Sequence, residues 1–312
     1  MTVSDQSSGQ LTRLLKTISS SFRREEGNVP TVYRMGRLKS SLLQAAMVVL
    51  AIIYFIPFYW MILKSFRLSI FAGFPVDLNP FSRTSISNFI SNFNYVWGFG
   101  NFPIWYLNSI FVSAVVVVSS VFIGALAGYA FARLDFPGRN ILFYAVLATL
   151  MIPFPVITIS EYVFMVKLGW INTYQGLMLP QIASAVNVYL MRQYFLTIPS
   201  EIEDAAKIDG LRPGQIFFRI SAPLAKPAFA ASAIFTFISS WNNFIWPLFE
   251  IQTTGMYTLP LALNFFKGAN GTQIYWNDMM LATTISLIPT FIIYVIFERF
   301  FIQGISLTGT KG

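Results

Sequence analysis

Four of the chain's 13 acidic residues, Glu201, Glu203, Asp204 and Asp209, lie within nine positions of a polar stretch that runs from Ser200 to Pro223. Acids this close can serve acid–base chemistry, hold a metal or orient a partner surface. The chain has no Cys and no His, which removes thiolate chemistry, disulfides and the commonest proton shuttle and metal ligand. Charge gathered in one loop of a chain that otherwise avoids it points to contact with something soluble. Ser200 and Glu203 have the spacing of a capping box behind Pro199, and Glu201, Glu203 and Asp204 crowd a first helical turn, where the helix dipole favours negative charge. Ile202, Ala205, Ala206 and Asp209 recur at i, i+3, i+4 and i+7 and share one face. Gly210 suits a left-handed residue at the helix end, and Pro213 can open a second short helix carrying Ile216, Phe217 and Ile220 as far as Pro223. The small Ala205 and Ala206 allow another surface to approach the backbone, with the acids orienting it. An inert surface hairpin has the same local grammar, so these residues alone leave both readings open.

The elements that must position this stretch are apolar. The 312 residues are 55% hydrophobic and 11% charged, against roughly 25% charged in soluble domains. Crossing a bilayer takes about 20 apolar residues, and six runs qualify, at about 42–63, 107–132, 140–160, 175–194, 224–249 and 279–300. Lipid offers no partner to an open backbone, so all six are expected to be helices. The first follows a polar leader with no small-residue cleavage site, which argues against a cleaved signal peptide. Leu11, Leu14, Leu15, Ile18 and Phe22 in that leader have helical spacing, so it is either an interfacial amphipathic helix or a plain tail. The expected organisation is a tail at 1–40, a membrane domain at 41–300 with the polar loop at 198–223, and a second tail at 301–312.

A net charge of +8 raises the question of nucleic acid, and its distribution answers it. Sixteen of the 21 lysines and arginines fall in the leader, the second-to-third and fourth-to-fifth connections and the end of the chain. The positive-inside rule then predicts that both termini and the polar loop are cytoplasmic. The basic excess reports topology, and no nucleic-acid partner is expected. The opposite connections, about 64–106, 161–174 and 250–278, are rich in Pro, Gly, Asn and Trp and are expected to form ordered caps on the helices.

The spans hold almost no ionisable residues; Lys226, Glu298 and Arg299 sit at span ends. Ion-coupled carriers place acids or bases inside the membrane to bind the driving ion, so an uphill transporter of this composition must take its energy from outside the bilayer. A stand-alone channel also explains uncharged spans, but it gives the acidic loop no purpose. The spans do carry neutral polarity and aromatics. Asn187, Trp241, Asn242 and Asn243 are candidates to line a path for an uncharged, hydroxyl-rich solute, and equally to bond helix to helix. Gly124 and Gly128, four apart, are read as a helix-packing signal. Pro153, Pro155 and Pro180 are expected to kink or interrupt their helices.

The stretch Pro199-Ser-Glu-Ile-Glu-Asp-Ala-Ala-Lys-Ile-Asp-Gly210, followed by Ile220 and Pro223, resembles the Glu-Ala-Ala loop of binding-protein-dependent ABC importer permeases. Asp204 stands where that family usually has Glu, Ala205 and Ala206 stand on the motif's alanines, and Gly210 on its glycine. Gly128-Tyr-Ala-Phe-Ala-Arg133, Asp135-Phe-Pro-Gly-Arg139, Met151-Ile-Pro153, Leu168-Gly-Trp-Ile-Asn-Thr-Tyr174 and Trp241-Asn-Asn-Phe244 resemble the carbohydrate-uptake branch, which includes the smaller permease subunit of the maltose transporter. The tail from Gln303 is similar too, although Ser306-Leu307-Thr308 departs from the branch's small-residue pattern. The resemblance implies an all-α integral membrane protein of six transmembrane helices with the type I importer fold. It implies that Glu203, Asp204, Ala205, Ala206, Asp209 and Gly210 form a coupling helix docking on an ATPase, and that the chain itself catalyses nothing. The implied partners are a second permease in a heterodimer, two copies of a cytoplasmic ATP-binding subunit that hold ATP and Mg, and an extracytoplasmic solute-binding protein, all around a lipid bilayer.

Overall fold

The computed structural model describes residues 37–67, 84–267 and 276–306, and the stretch from Leu11 to Phe22, read as an amphipathic helix or a plain tail, and the last six residues lie outside this range. Side chains are described for fewer residues at the ends of these segments, which leaves the tail from Gln303 without side-chain detail. The chain divides into two compact units, residues 1–59 and residues 60–312. In the first, the described portion belongs to α1 (Arg37–Ser65). Leu42, Met47, Leu50, Ile53 and Phe55 are exposed on all its sides. A helix that is apolar all round needs either a core or lipid around it.

In the second unit α3 (Phe102–Arg133), 32 residues long, is the central element. Before it lies α2 (Ile86–Gly98), where the Ser85 hydroxyl accepts from the Ser87 amide. Pro103 sits in the first turn of α3, where a missing amide hydrogen costs nothing. The chain then forms α4 (Arg139–Ala148), α5 (Phe154–Leu168), α6 (Tyr174–Ile182), α7 (Ala185–Thr197) and the short α8 (Ser200–Ile208). Beyond it come α9 (Pro213–Leu224), α10 (Lys226–Trp241), α11 (Ile245–Glu250), α12 (Leu259–Ala262) and α13 (Trp276–Ser306). Among the described residues the one β pairing is an isolated bridge between Arg67 and Thr84.

α3 packs most extensively against α7 and α10, and the glycine pair explains how. A Cβ added at Gly124 would lie 2.6 Å from the Asn187 Cβ, and one at Gly128 would lie 2.6 Å from the Met191 Cβ. Hydrogen at these two positions is what lets α7 lie against α3. Three apolar clusters flank this contact. One gathers Phe102, Trp105, Trp241, Leu259 and Leu281 at the start of α3, and another gathers Tyr129, Met191, Phe195, Ile198 and Phe217 at its end. The third, around Val112, Leu177 and Trp246, joins α3 to α6 and α11.

Among the described residues, three single helices are long and apolar enough to cross a membrane, Ser41–Ser65, Phe102–Arg133 and Trp276–Phe297. Two bent pairs bring the number to as many as five: Arg139–Met151 with Phe154–Leu168, bent by 102°, and Pro213–Leu224 with Lys226–Trp241, bent by 78°. The first bend falls at Pro153, whose ring removes the donor a continuing helix needs. The run expected to span at 175–194 is two helices, α6 and α7, separated at Ala183 and Ser184. Pro180 offers no amide to the Gly176 carbonyl, and the Trp246 indole donates to that carbonyl instead, at 3.1 Å. The connections expected to face outward contain α2, α12 and a 3₁₀ turn at Thr254–Met256.

Candidate functional site

α8 is a nine-residue helix entered from Pro199. The Ser200 hydroxyl makes no cap, and Glu203 does not fold back to complete a box. Its carboxylate turns into the protein, 3% exposed, where it accepts a 2.8 Å hydrogen bond from the Ser221 hydroxyl and lies 3.4 Å from Arg133 Nε. A buried carboxylate needs an opposite charge and a donor, and those partners outweigh an exposed cap. Ala206, one turn on, is buried on the same side. The face that sequence periodicity groups as one is therefore divided: Ile202, Ala205 and Asp209 are exposed, while Ala206 packs inward with Glu203. Glu201, Asp204, Lys207 and Ile208 are exposed as well, Ile208 to 87%.

The helix ends as its glycine requires. Gly210 takes φ +81°, its amide donates to the Lys207 carbonyl, and the Leu211 amide reaches back to Ala206, both at 3.0 Å. These two bonds form a Schellman motif. The Arg212 amide then donates to Gln215 Oε1 at 2.9 Å and starts α9. Within α9 the backbone forms a π-turn over Phe217–Ser221, a local irregularity that re-aims side chains. Asp204 and Lys207 form an exposed pair at 2.8 Å, and the hydrogen bond to Asp204 lifts the Lys207 ammonium above its ordinary pKa.

Arg133, the last residue of α3, connects the site to the body of the protein. Its Nη2 donates to the Phe195 carbonyl at 2.6 Å and to the Ile198 carbonyl. Both belong to the end of α7, where carbonyls lose their intrahelical partners. One guanidinium therefore joins the ends of α3 and α7 to Glu203 of α8, and Ser221 adds α9. Tyr129 packs beneath, its ring 5.4 Å from that of Phe195 and 5.1 Å from that of Phe217.

The four candidate path residues are distributed differently. The Asn187 amide, 1% exposed, donates to Ser120 Oγ and Thr236 Oγ1, each at 2.9 Å, joining α3, α7 and α10. Trp241 donates to the Ser286 carbonyl at 3.1 Å and stacks on Phe237. Asn243 donates to Gln181 Oε1 at 3.2 Å and accepts from the Trp246 amide. Asn242 is exposed and bonds the Ile238 carbonyl at 2.9 Å.

Sequence reasoning named neither Arg133 nor Ser221 as a site residue. Arg133 had a signal, a cation closing a long apolar run, but it reads as topology; Ser221 had none. At the far end of α3, Asn172 stands in the sequence only as part of the Leu168–Tyr174 motif, with no role of its own. This residue has φ +60°, and its side-chain oxygen accepts from the Gln252 amide, the Thr253 amide and the Thr253 hydroxyl at 3.0–3.1 Å. Its own amide donates to the Glu250 carbonyl at 2.9 Å. The Glu250 carboxylate is wholly buried without a hydrogen-bond partner, and burial pushes its pKa up to about 7.

A family profile described as binding-protein-dependent transport system inner membrane component matches residues 120–307. The arabinooligosaccharides transport system permease protein of Halalkalibacterium halodurans is 38% identical over 276 residues, covering 88% of this chain and 97% of its own. The trehalose/maltose transport system permease protein of Thermococcus litoralis is 32% identical, covering 88% and 98%. The sn-glycerol-3-phosphate transport system permease protein of Yersinia pestis is also 32% identical, covering 69% and 78%. Among solved structures, a chain of a bacterial ABC transporter involved in alginate import superposes with a TM-score of 0.72. It is 23% identical and covers 88% of this chain and 100% of its own, so the likeness is one of fold.

Proposed function

The chain belongs to the family of inner membrane components of binding-protein-dependent transport systems, and from that premise we propose that it is one permease subunit of an ATP-driven sugar importer, with α8 as the helix that docks on the ATPase. The observation that carries this reading is the division of α8. Glu203 and Ala206 anchor it to the membrane helices, which leaves Ile202, Ala205 and Ile208 presented to solvent among Asp204 and Asp209. An exposed apolar strip on an otherwise charged helix supports docking of a partner surface there. In this reading the strip faces the cytoplasm, as the basic residues around it indicate. ATP and Mg belong to two copies of the partner ATPase, a second permease completes the path as a heterodimer, and a solute-binding protein delivers the cargo from outside. Closure of the ATPases would move α8 and rock the spans between inward- and outward-open states.

A sugar or oligosaccharide is favoured by the names of the arabinooligosaccharide and trehalose/maltose relatives. The glycerol-3-phosphate relative keeps a non-sugar polar solute as the second reading. Within α3 and α10 the charged side chains, Arg133 and Lys226, stand in terminal turns, which suits a neutral cargo better than a phosphate.

The test is co-purification. The chain, expressed with its second permease, should retain the ATPase subunit through detergent extraction, and Ala205→Asp should reduce the retained ATPase and the uptake at least tenfold. A stand-alone channel or ion-coupled carrier would show uptake without any ATPase and indifference to Ala205→Asp.

A further inference from the structure

We propose that Arg133 and Glu203 form a force-transmitting latch, so that α8 moves as one body with the ends of α3 and α7. This deepens the importer reading and rests on it. α8 is short, begins at a proline and ends at a left-handed glycine. Its backbone connections to its neighbours are bends on both sides, and push or pull applied to its exposed face would be absorbed there unless side chains carry it. The side chains that do so are identifiable. Glu203 meets Arg133 at 3.4 Å and Ser221 at 2.8 Å, with both charged side chains 12% exposed or less. Arg133 in turn holds the terminal carbonyls of α7 at Phe195 and Ile198. Interactions of a buried charged pair are hardly screened by solvent, and a guanidinium with several acceptors is fixed in orientation. Ala206 is buried on the same side of α8, and the Tyr129, Phe195 and Phe217 rings pack on one another where α3, α7 and α9 meet. Glu203 and Arg133 are accordingly positioning residues. They touch neither nucleotide nor cargo, and they act by turning displacement of α8 into displacement of the membrane helices.

The absence of Cys in this chain lets the idea be tested by distance. Spin labels on the exposed positions Asp135→Cys, two residues past Arg133, and Lys207→Cys, on α8, are read by electron paramagnetic resonance in the assembled transporter in lipid. The expected separation is a single narrow distribution that stays the same with and without ATP. In Glu203→Gln, which keeps the shape and an acceptor for Ser221 but loses the charge, the distribution should broaden. Solute taken up per ATP hydrolysed should fall by about fivefold, the lower end of typical coupling strengths, while the ATPase still co-purifies. Ser221→Ala, which spares the ion pair, should lower the same ratio by a smaller factor and keeps the test open if Glu203→Gln fails to accumulate. A label separation that changes on ATP binding in the parent chain would overturn the latch. So would an unchanged ratio in both variants, or loss of ATPase binding in step with loss of uptake. Failure of the parent chain to bind the ATPase at all would instead defeat the importer reading.

Discussion

Glu250 shows how a single residue sets a measurable property. Its carboxylate is buried beside Gly176 and Trp170, and no charge compensates it. Burial penalises the ionised form, so the folded chain holds this proton more tightly than the unfolded one. The unfolded state then binds fewer protons between the ordinary carboxylate pKa of 4.5 and about 7, and stability falls as pH rises through that window. Above it the curve is flat with respect to this group. The thermal unfolding midpoint of the purified chain should therefore be higher at pH 5 than at pH 8. Glu250→Gln should remove most of the difference by lifting the pH 8 value, and a variant that keeps the full slope would show that another group titrates. The Asp204–Lys207 pair should contribute no comparable effect, because an exposed ion pair is screened and adds little.

Helix contacts are governed by a different balance. The α3–α7 contact combines two glycines with one asparagine, and the two kinds of residue should not cost the same when changed. Interhelical hydrogen bonds in membranes contribute about 0.6 kcal/mol each, so Asn187→Leu, which removes two, should cost about 1 kcal/mol. Gly128→Val drives branched methyls into the Met191 and Arg192 backbone, which already lies within 3.1 Å of a bare Cβ, and overpacking of this kind costs about 1–3 kcal/mol or more. Thermal unfolding in detergent should rank Gly128→Val as the more damaging change. The reverse order would mean that polar bonds, not close approach, hold α7 to α3. Periodicity and small-residue spacing made the glycine contact legible in the sequence. Pro180 signals an interruption of its run, but α6 continues through it to Ile182 and the chain breaks at Ala183 and Ser184. What the sequence does not show is that the Trp246 indole, 70 positions away, takes the Gly176 carbonyl that Pro180 leaves free.

For the molecule as a whole, the asymmetry of charge is the organising fact. With no native Cys, single substitutions report sidedness directly. Thr254→Cys, on an exposed turn beyond α11, should react with a membrane-impermeant thiol reagent on intact cells. Lys207→Cys should react only after the membrane is opened. Labelling in the opposite order would invert the topology and remove α8 from the ATPase. The sequence by itself determined the apolar, helical character of the chain, the uneven distribution of its basic residues and the local grammar of the loop from Ser200 to Pro223. All three are written in neighbouring residues, where hydropathy, charge and helix-ending signals act over a turn or two. Only the tertiary structure decided which face of α8 is presented. That choice depends on Arg133 and Ser221, 70 and 18 positions from Glu203. A carboxylate drawn inward by a charge and a hydroxyl that distant overrides the cap its own neighbours favour.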